Sequence, residues 1–243
     1  QITGGYFADP GVKDVPGLPE VGYPLAEIDA DGTIVIGKPA GTGGRVDRQT
    51  VIEQVLYEIH DPAAYLVPDV VLDLTDVTVE EVGADRVRIA GARGGPAPET
   101  LKATVCVDAG VLGEAEISYA GPNAAGRARL AAEIVRDRLA RRAPNIQFRI
   151  DAIGIASILG NDDGALRRPW DADATDVRLR FAARGARAED VRILLDEVEA
   201  LYCAGPAGGA GVRRHVTPRL ASASCLIERA FAAPRVTMIE GPE

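Results

Sequence analysis

Strictly alternating apolar and polar residues recur along this chain, and such alternation is typical of strands with one covered and one exposed face. In the segment 177–183, VRLRFAA, every second residue is apolar: Val177, Leu179, Phe181 and Ala183. The same pattern predicts further strands, and a continuous apolar run at 69–74 predicts a buried one. The DADG sequence at 29–32, between two apolar runs, predicts a hairpin. The other alternating segments are 86–91, 101–107, 114–120 and 146–150.

Three segments carry apolar residues three and four positions apart, as on the covered face of a helix. The predicted helices are 47–59, 123–142 and 188–202. Either Asp47 or Thr50 can cap the first helix, and Thr50 with Glu53 has the spacing of a capping box. The polar stretch 160–176 predicts a loop, and two or three short strands are predicted after residue 211.

The order of these elements predicts the fold class. From residue 113 onward the order is strand, helix, strand, strand, helix, strand, which matches a ferredoxin-like (split βαβ) unit. We therefore predict an α+β protein with a mainly antiparallel or mixed sheet and helices on one face. Two regions are expected: 1–95, with the glycine-rich loops, the hairpin and the first helix, and 96–243, the ferredoxin-like region.

Composition narrows the classes of partner. The 243 residues include 27 Lys and Arg against 36 Asp and Glu, so the formal net charge is −9. Such an acidic chain is not expected to bind the phosphate backbone of nucleic acids. No apolar run approaches the roughly 18 residues of a membrane span. We therefore expect neither nucleic acid nor a membrane as a partner.

Cysteine and histidine usage bears on compartment and metals. The chain has three cysteines, which are Cys106, Cys203 and Cys225. Their number is odd, and no two of them have C-x-x-C spacing. This argues against a disulfide framework or structural zinc and favours a reducing compartment, so we predict a cytoplasmic protein. With two histidines in the chain and no paired spacing, no metal site is predicted.

The first candidate for chemistry is the segment KPAGTGG at 38–44, which leads into the first predicted helix. Glycines let backbone N–H groups approach an anion, and a helix N-terminus adds donors and positive potential. This is not a Walker A loop, because Lys38 precedes the glycines. The alternative is a plain connection between strand and helix. The candidate binding residues are Gly41, Thr42, Gly43 and Gly44, with Lys38 as the positive charge.

A second glycine-rich segment begins the chain, where Thr3, Gly4 and Gly5 repeat the small-residue pattern. Asp9 and Asp14 follow, in a stretch made tight by prolines and glycines, and are candidate acid–base groups. The alternative is a surface loop with solvated charges.

His60, next to Asp61 at the end of the first predicted helix, is a third candidate. Histidine suits acid–base work near neutral pH. It is also simply favourable at a helix C-terminus, so a structural role is the alternative. His215 has a weaker case.

Four ordered blocks resemble the acyclic terpene utilisation (AtuA-like) family. They are TGGYFADPGVKDVP (3–16), DADGTIVIGKPAGTGG (29–44), TVIEQVLYEIHDPAAYLVPDVV (50–71) and GEAEISYAGPNAAGRARLA (113–131). The resemblance covers roughly residues 2–140 in long blocks, and more loosely the rest. Family members carry an α/β segment ahead of the TGG block. The resemblance therefore implies the second portion of a larger protein, whose N-terminal portion would be a partner of this one.

The resemblance implies breakdown of acyclic terpenoids and branched acids as coenzyme A thioesters, beside acyl-CoA carboxylases. An enzyme acting on an acyl-CoA or carboxylate intermediate is expected, with its reaction unassigned. We also expect the chain to form a homo-oligomer. Two alternative functions stay open: a non-catalytic accessory subunit of an acyl-CoA carboxylase system, and a structural module serving homo-oligomerisation. The separation of Gly4–Gly5 from Gly43–Gly44 tests the shared anion site, since the two loops must meet at one cleft with Lys38.

Overall fold

The computed structural model describes residues 2–5, 8–158, 169–171, 173–232, 235 and 237. The loop predicted at 160–176 lies largely outside these residues. The chain divides into two compact units. Unit 1 comprises Gln1–Lys102 and Leu226–Glu243, and unit 2 comprises Ala103–Cys225.

Unit 1 is built from short strands and one helix. The strands of its four-stranded sheet lie in the order β1-β2-β6-β5 and all pair antiparallel, while β3, β4 and β7 form a second sheet. The predicted hairpin at 29–32 is confirmed, because β1 and β2 pair across it. The elements are β1 (Leu25–Ile28), β2 (Ile34–Gly37), α1 (Arg48–Leu56), β3 (Tyr65–Leu66), β4 (Val71–Asp73), β5 (Thr78–Gly83), β6 (Arg86–Ala90) and β7 (Arg93–Gly95).

Asp47 caps α1. The Thr50 N–H group donates to Asp47 Oδ1 at 2.9 Å, and the Asp47 N–H group donates to Thr50 Oγ1 at 3.2 Å. The helix ends at Leu56, three residues before the predicted end at 59, because Tyr57 is extended and Glu58 is left-handed with φ of 61°. Val51 of the helix packs with Val46 and with Val87 of β6 in a small core.

Unit 2 confirms the ferredoxin-like prediction. Its sheet order is β11-β8-β10-β9, which places the fourth strand beside the first and the third between the first and second. The helices α2 and α3 contact β10 and each other, so they cover the same face. The elements are β8 (Thr100–Ala120), α2 (Ala124–Arg142), β9 (Phe148–Ile153), β10 (Asp176–Gly185), α3 (Ala188–Glu199), α4 (Leu201–Ala204) and β11 (Ala210–Glu228).

Two strand predictions were wrong in the same way. The segments 101–107 and 114–120 are parts of one strand, β8, and β11 replaces the short strands predicted after residue 211. The apparent break in β8 is Gly110, whose φ of 74° is left-handed and whose N–H group donates to Asp108 Oδ1 at 2.8 Å. A glycine can take this conformation inside a strand without ending it.

We predict that Tyr119 lowers the stability of unit 2 at alkaline pH. Its ring is fully buried, and its hydroxyl has no hydrogen-bond partner among the described residues. Burial raises the pKa of Tyr119 from 10.0 to about 12, although the Arg127 guanidinium, 6.0 Å from the ring centroid, opposes this rise. Above pH 10 the unfolded tyrosine therefore ionises before the folded one, and stability falls as pH rises towards 12.

We expect Tyr119→Phe to remove this loss. At pH 7 the variant should be as stable as the wild type or more so, because an unpaired buried hydroxyl disappears. At pH 11 the wild type alone should lose about 1 kcal/mol through this group. Urea unfolding at the two pH values measures the difference, and an equal pH dependence of the two proteins would contradict the account.

Candidate functional site

The two glycine-rich loops meet in unit 1. The Gly44 N–H group donates to the Pro16 carbonyl at 2.7 Å, and the Arg45 N–H group donates to the Thr3 carbonyl at 2.9 Å. A Cβ atom on Gly44 would lie 2.7 Å from the Thr3 carbonyl oxygen. The segments 3–5 and 41–44 are therefore neighbours, as a shared site requires.

The N–H groups of residues 42–46 nevertheless all donate within unit 1. An anion-binding nest needs N–H groups that are free to face a ligand. In this loop those N–H groups donate to the surrounding segments, so its first role is to hold chain segments together. We call the loop at 38–46, with the segments at 3–5 and 16–22 that it contacts, the joint. The acceptors are the Pro39 carbonyl (3.4 Å), the Glu20 carbonyl (2.9 Å), the Pro16 carbonyl (2.7 Å), the Thr3 carbonyl (2.9 Å) and Asp85 Oδ1 (2.9 Å).

Close backbone contact explains why this joint needs glycine. A Cβ atom on Gly43 would overlap the carbonyl of Gly17, which is backbone and cannot rotate away. A Cβ atom on Gly22 would overlap the Thr42 hydroxyl. The segments around Gly17, Gly22 and Gly43 thus approach at distances that only glycine permits.

Lys38 is held inside the joint. Its Nζ donates to the Thr42 carbonyl at 2.7 Å and lies 3.3 Å from Asp85 Oδ2, and its side chain is 9% exposed. Asp85 also accepts from the Val46 N–H group, so one carboxylate joins the turn between β5 and β6 to both ends of the loop. The charge of Lys38 is therefore largely committed to closing the loop.

Asp9 and Asp14 shape the N-terminal loop. The backbone N–H groups of Asp9 and Lys13 donate to each other's carbonyls at 2.9 and 2.6 Å. Asp14 Oδ1 accepts from the Gly11 N–H group at 2.9 Å, and the Asp14 carbonyl accepts from Arg45 Nη1 at 3.1 Å. The tight turn places Lys13 and Arg45 at α1.

A partly buried ion pair lies where the N-terminal loop reaches α1. Lys13 Nζ and Glu53 Oε1 are 2.5 Å apart, with side chains 12% and 28% exposed. Gln49 Nε2 donates to the same oxygen at 3.3 Å. The other oxygen, Glu53 Oε2, is buried and accepts no hydrogen bond in the part of the chain that the structure describes.

Glu53 lines a cleft of about 450 Å³ at the start of α1. The first two turns of the helix form one wall, and Arg45, Asp47 and Glu81 form the rest. Arg45 Nε donates to Asp47 Oδ2 at 2.5 Å, and the Arg48 N–H group donates to Glu81 Oε1 at 3.0 Å. Carboxylates and guanidinium groups thus face one space, an arrangement suited to proton transfer next to a charge that develops on a substrate.

A model of the acyclic terpene utilisation family protein AtuA matches residues 1–238. The chain belongs to the AtuA family. This confirms the resemblance stated from the sequence blocks and links the chain to acyclic terpene utilisation. Neither the search of curated proteins nor the search of solved structures found a match.

In this AtuA-family chain, His60 stands apart from the joint. It is exposed in the turn after α1, where Asp61 Oδ1 accepts from the Ala63 N–H group at 2.9 Å. Among the described residues, no hydrogen bond or ion pair links His60 to either glycine loop.

The described residues of this AtuA-family chain contain no group of three or more His, Cys, Asp or Glu side chains placed to hold a metal ion. No helix among them has the length and apolarity needed to cross a lipid bilayer.

Sequence reasoning missed Glu53 as a functional candidate. Its position three residues after Thr50 suggested a capping box, and the structure gives that box to Asp47 and Thr50 instead. A carboxylate within a helix is common, and only tertiary contacts show that one of its oxygens is buried without a donor. The available signal was the third block of the family resemblance, 50–71, which contains Glu53.

Proposed function

We propose that this AtuA-family chain forms part of an enzyme that moves a proton on a carboxylate or acyl-coenzyme A intermediate of acyclic terpenoid breakdown. The observation that supports this most strongly is the buried Glu53 Oε2, which has no donor among the described residues. Leaving a buried polar group unpaired costs about 1–3 kcal/mol. An acid–base role provides a reason to retain it.

The cations around Glu53 suit a reaction that generates an oxyanion. Removing a proton beside a thioester carbonyl places negative charge on the carbonyl oxygen. Arg45 and Arg48 border the cleft, and Lys13 lies against Glu53. Donors fixed before the reaction lower the energy of such a charge more than mobile water does. In this proposal Glu53 takes the proton and the neighbouring cations stabilise the product.

The glycine loops have a positioning role in this proposal. They hold Lys13 and Arg45 against α1 through the contacts of the joint, and Lys38 closes the loop from inside. Direct substrate contact by Thr3, Gly4, Gly5 and 41–44 stays a prediction, as do acid–base roles for Asp9, Asp14 and His60. The substrate would enter at the cleft and leave the joint intact.

The proposed substrate class fits a cytoplasmic location. Cys106, Cys203 and Cys225 are all free and exposed. Exposed free thiols persist in reducing compartments. A coenzyme A thioester would act as the substrate, and the proposal requires no metal.

Isotope exchange tests the proposal. The chain is incubated in D₂O with branched acyl-coenzyme A thioesters, and mass spectrometry follows deuterium uptake on the carbon next to the carbonyl. We expect enzyme-dependent uptake or a new product. Calorimetric binding of the thioester without uptake or product would contradict proton transfer and favour an accessory subunit of an acyl-CoA carboxylase system.

A second candidate function is assembly of copies of this chain. β10 pairs with β8 over residues 111–120, so residues 103–110 of β8 extend past β10. Val105 and Val107 in this extension are 47% and 45% exposed, and Leu220 on the adjacent strand β11 is 75% exposed. Exposed apolar side chains on a long ribbon favour a protein interface.

Sedimentation equilibrium checks the assembly function. We expect the wild type to be a dimer or larger at micromolar concentration, and Leu220→Glu to weaken association about tenfold or more by placing a charge in the interface. Leu130→Glu is the matched control, because Leu130 is 50% exposed on α2. A monomeric wild type, or equal effects of the two substitutions, would contradict this function.

A further inference from the structure

The sheet of unit 2 carries a row of arginines on the face opposite α2 and α3. Along β10, Arg178, Arg180 and Arg184 alternate with Leu179, Phe181 and Ala183, which pack in the core beneath the helices. β9 adds Arg149, which lies opposite Ala182. Three of these four arginines form ion pairs with carboxylates on the same sheet, and Arg184 forms none with the residues that the structure describes.

Two of these arginines are paired diagonally across the sheet. Arg178 lies opposite Ser118 but contacts Glu116 at 2.6 Å. Arg180 lies opposite Glu116 but its Nε donates to Glu114 at 2.8 Å. Each guanidinium therefore reaches the carboxylate two residues before its opposite neighbour on β8.

The same diagonal leaves Arg184 without a carboxylate. Arg184 lies opposite Leu112, and two residues before Leu112 stands Gly110, which has no side chain. Arg219 on β11 is half-buried beside it. Neither guanidinium has an ion-pair or hydrogen-bond partner within the described ranges. Two arginines thus face the same region with their donors uncommitted.

Two carboxylates that border the same depressions as Arg184 are engaged elsewhere. Asp108 and Asp190 line depressions that also include Arg184. Asp108 Oδ1 accepts from the Gly110 N–H group at 2.8 Å, and Asp190 Oδ2 accepts from the Arg187 N–H group at 2.8 Å. These hydrogen bonds hold the two carboxylates within the turns that contain them.

Arg184 and Arg219 border a groove of about 660 Å³. The apolar residues Leu112 and Ala182 line this groove, and Phe148 on β9 also borders it while packing against the core under the helices. The groove therefore combines uncommitted cations with an apolar surface.

A buried carboxylate fixes two further arginines of the same groove. Asp151, with a side chain 7% exposed, accepts from Arg149 Nε at 2.6 Å and from Arg180 Nη1 at 2.8 Å. Both guanidinium groups line the groove. Their orientation is set before any ligand arrives, which lowers the entropy cost of binding.

We infer that this groove is a binding site for a small organic anion, bound through Arg184 and Arg219. Guanidinium groups match phosphate and carboxylate oxygens with paired N–H donors. The apolar floor selects a ligand whose anionic group carries a hydrocarbon portion. The site lies within unit 2 and is independent of the proton-transfer proposal.

Calorimetry on the complete chain tests this site with octyl phosphate and octanoate as probes, at about 50 mM salt to limit screening. We expect at least one probe to bind with a submillimolar Kd. The double variant R184Q/R219Q should bind at least about tenfold more weakly. R141Q/R192Q is the matched control, because it removes two exposed arginines from α2 and α3 and should bind as the wild type does.

The two probes separate the sources of the anion. Stronger binding of octyl phosphate indicates a phosphate ester, and stronger binding of octanoate indicates a carboxylic acid. Absence of binding by both probes up to about 10 mM would overturn the site. Equal losses in R184Q/R219Q and R141Q/R192Q would also overturn it, because only net charge would then matter. Shifts of arginine Nε–H signals in the wild type give a second readout that needs no variant.

Discussion

Replacing Gly43 with alanine is expected to destabilise unit 1 by roughly 3 kcal/mol or more, because a new methyl group would meet backbone. The added Cβ atom overlaps the Gly17 carbonyl, and no rotamer change can relieve that contact. The chain must instead separate the loop from the segment at 16–22. Lys38 and Arg45 would then lose the contacts that fix them.

Gly5→Ala is the matched control for this experiment. A Cβ atom on Gly5 would meet only the Val21 methyl groups, at 4.0 Å, and Gly5 does not have a left-handed φ. We expect it to change stability by less than about 1 kcal/mol. Urea unfolding with hydrogen exchange on the α1 amides compares the two variants. Equal stabilities would show that the joint tolerates a side chain and would contradict its close-packed role.

Glu53→Gln is expected to lower the rate of proton exchange on the thioester by about a hundredfold or more, as loss of a general base does. Glutamine keeps the shape of the side chain and still accepts from Lys13 and Gln49 through its carbonyl oxygen. Substrate affinity should therefore change little, so the effect appears in the rate and not in the dissociation constant.

Glu20→Gln makes the same chemical change on an exposed side chain outside the cleft. It should leave the exchange rate unchanged. A Glu53→Gln protein that binds thioester more weakly but turns over normally would assign Glu53 to binding and not to proton transfer.

The fold of unit 2 could be predicted because its signals are local. Alternation in 177–183 and helical spacing in 188–202 identify the elements, and their order along the chain then limits the topology. The length of β8 could not be read in the same way. Gly110 looks like the end of a strand in the sequence, and only its pairing partners show that the strand continues.

The candidate site was predictable in part. The resemblance and the small residues drew attention to 3–5 and 41–44, and the structure places these segments side by side. The acceptors that occupy the loop N–H groups come from Thr3, Pro16 and Glu20, which lie far from the loop in sequence. No local pattern indicates that such distant carbonyls fill the nest.

Glu53 and Arg184 illustrate the same limit in the two units. Many carboxylates and arginines occur along this chain, and their sequence context is ordinary. What distinguishes these two is their place in the fold: Glu53 Oε2 is buried without a donor among the described residues, and Arg184 borders a groove together with Arg219. That property depends on sheet register and helix packing, so it emerges only from the folded structure.

The most direct test of the account is the rate of deuterium uptake by a bound branched acyl-coenzyme A thioester, compared between the wild type and Glu53→Gln at saturation. Calorimetry on the same samples establishes that both proteins bind the thioester equally. We expect a rate about a hundredfold or more lower in Glu53→Gln. Equal uptake by the two proteins would contradict it.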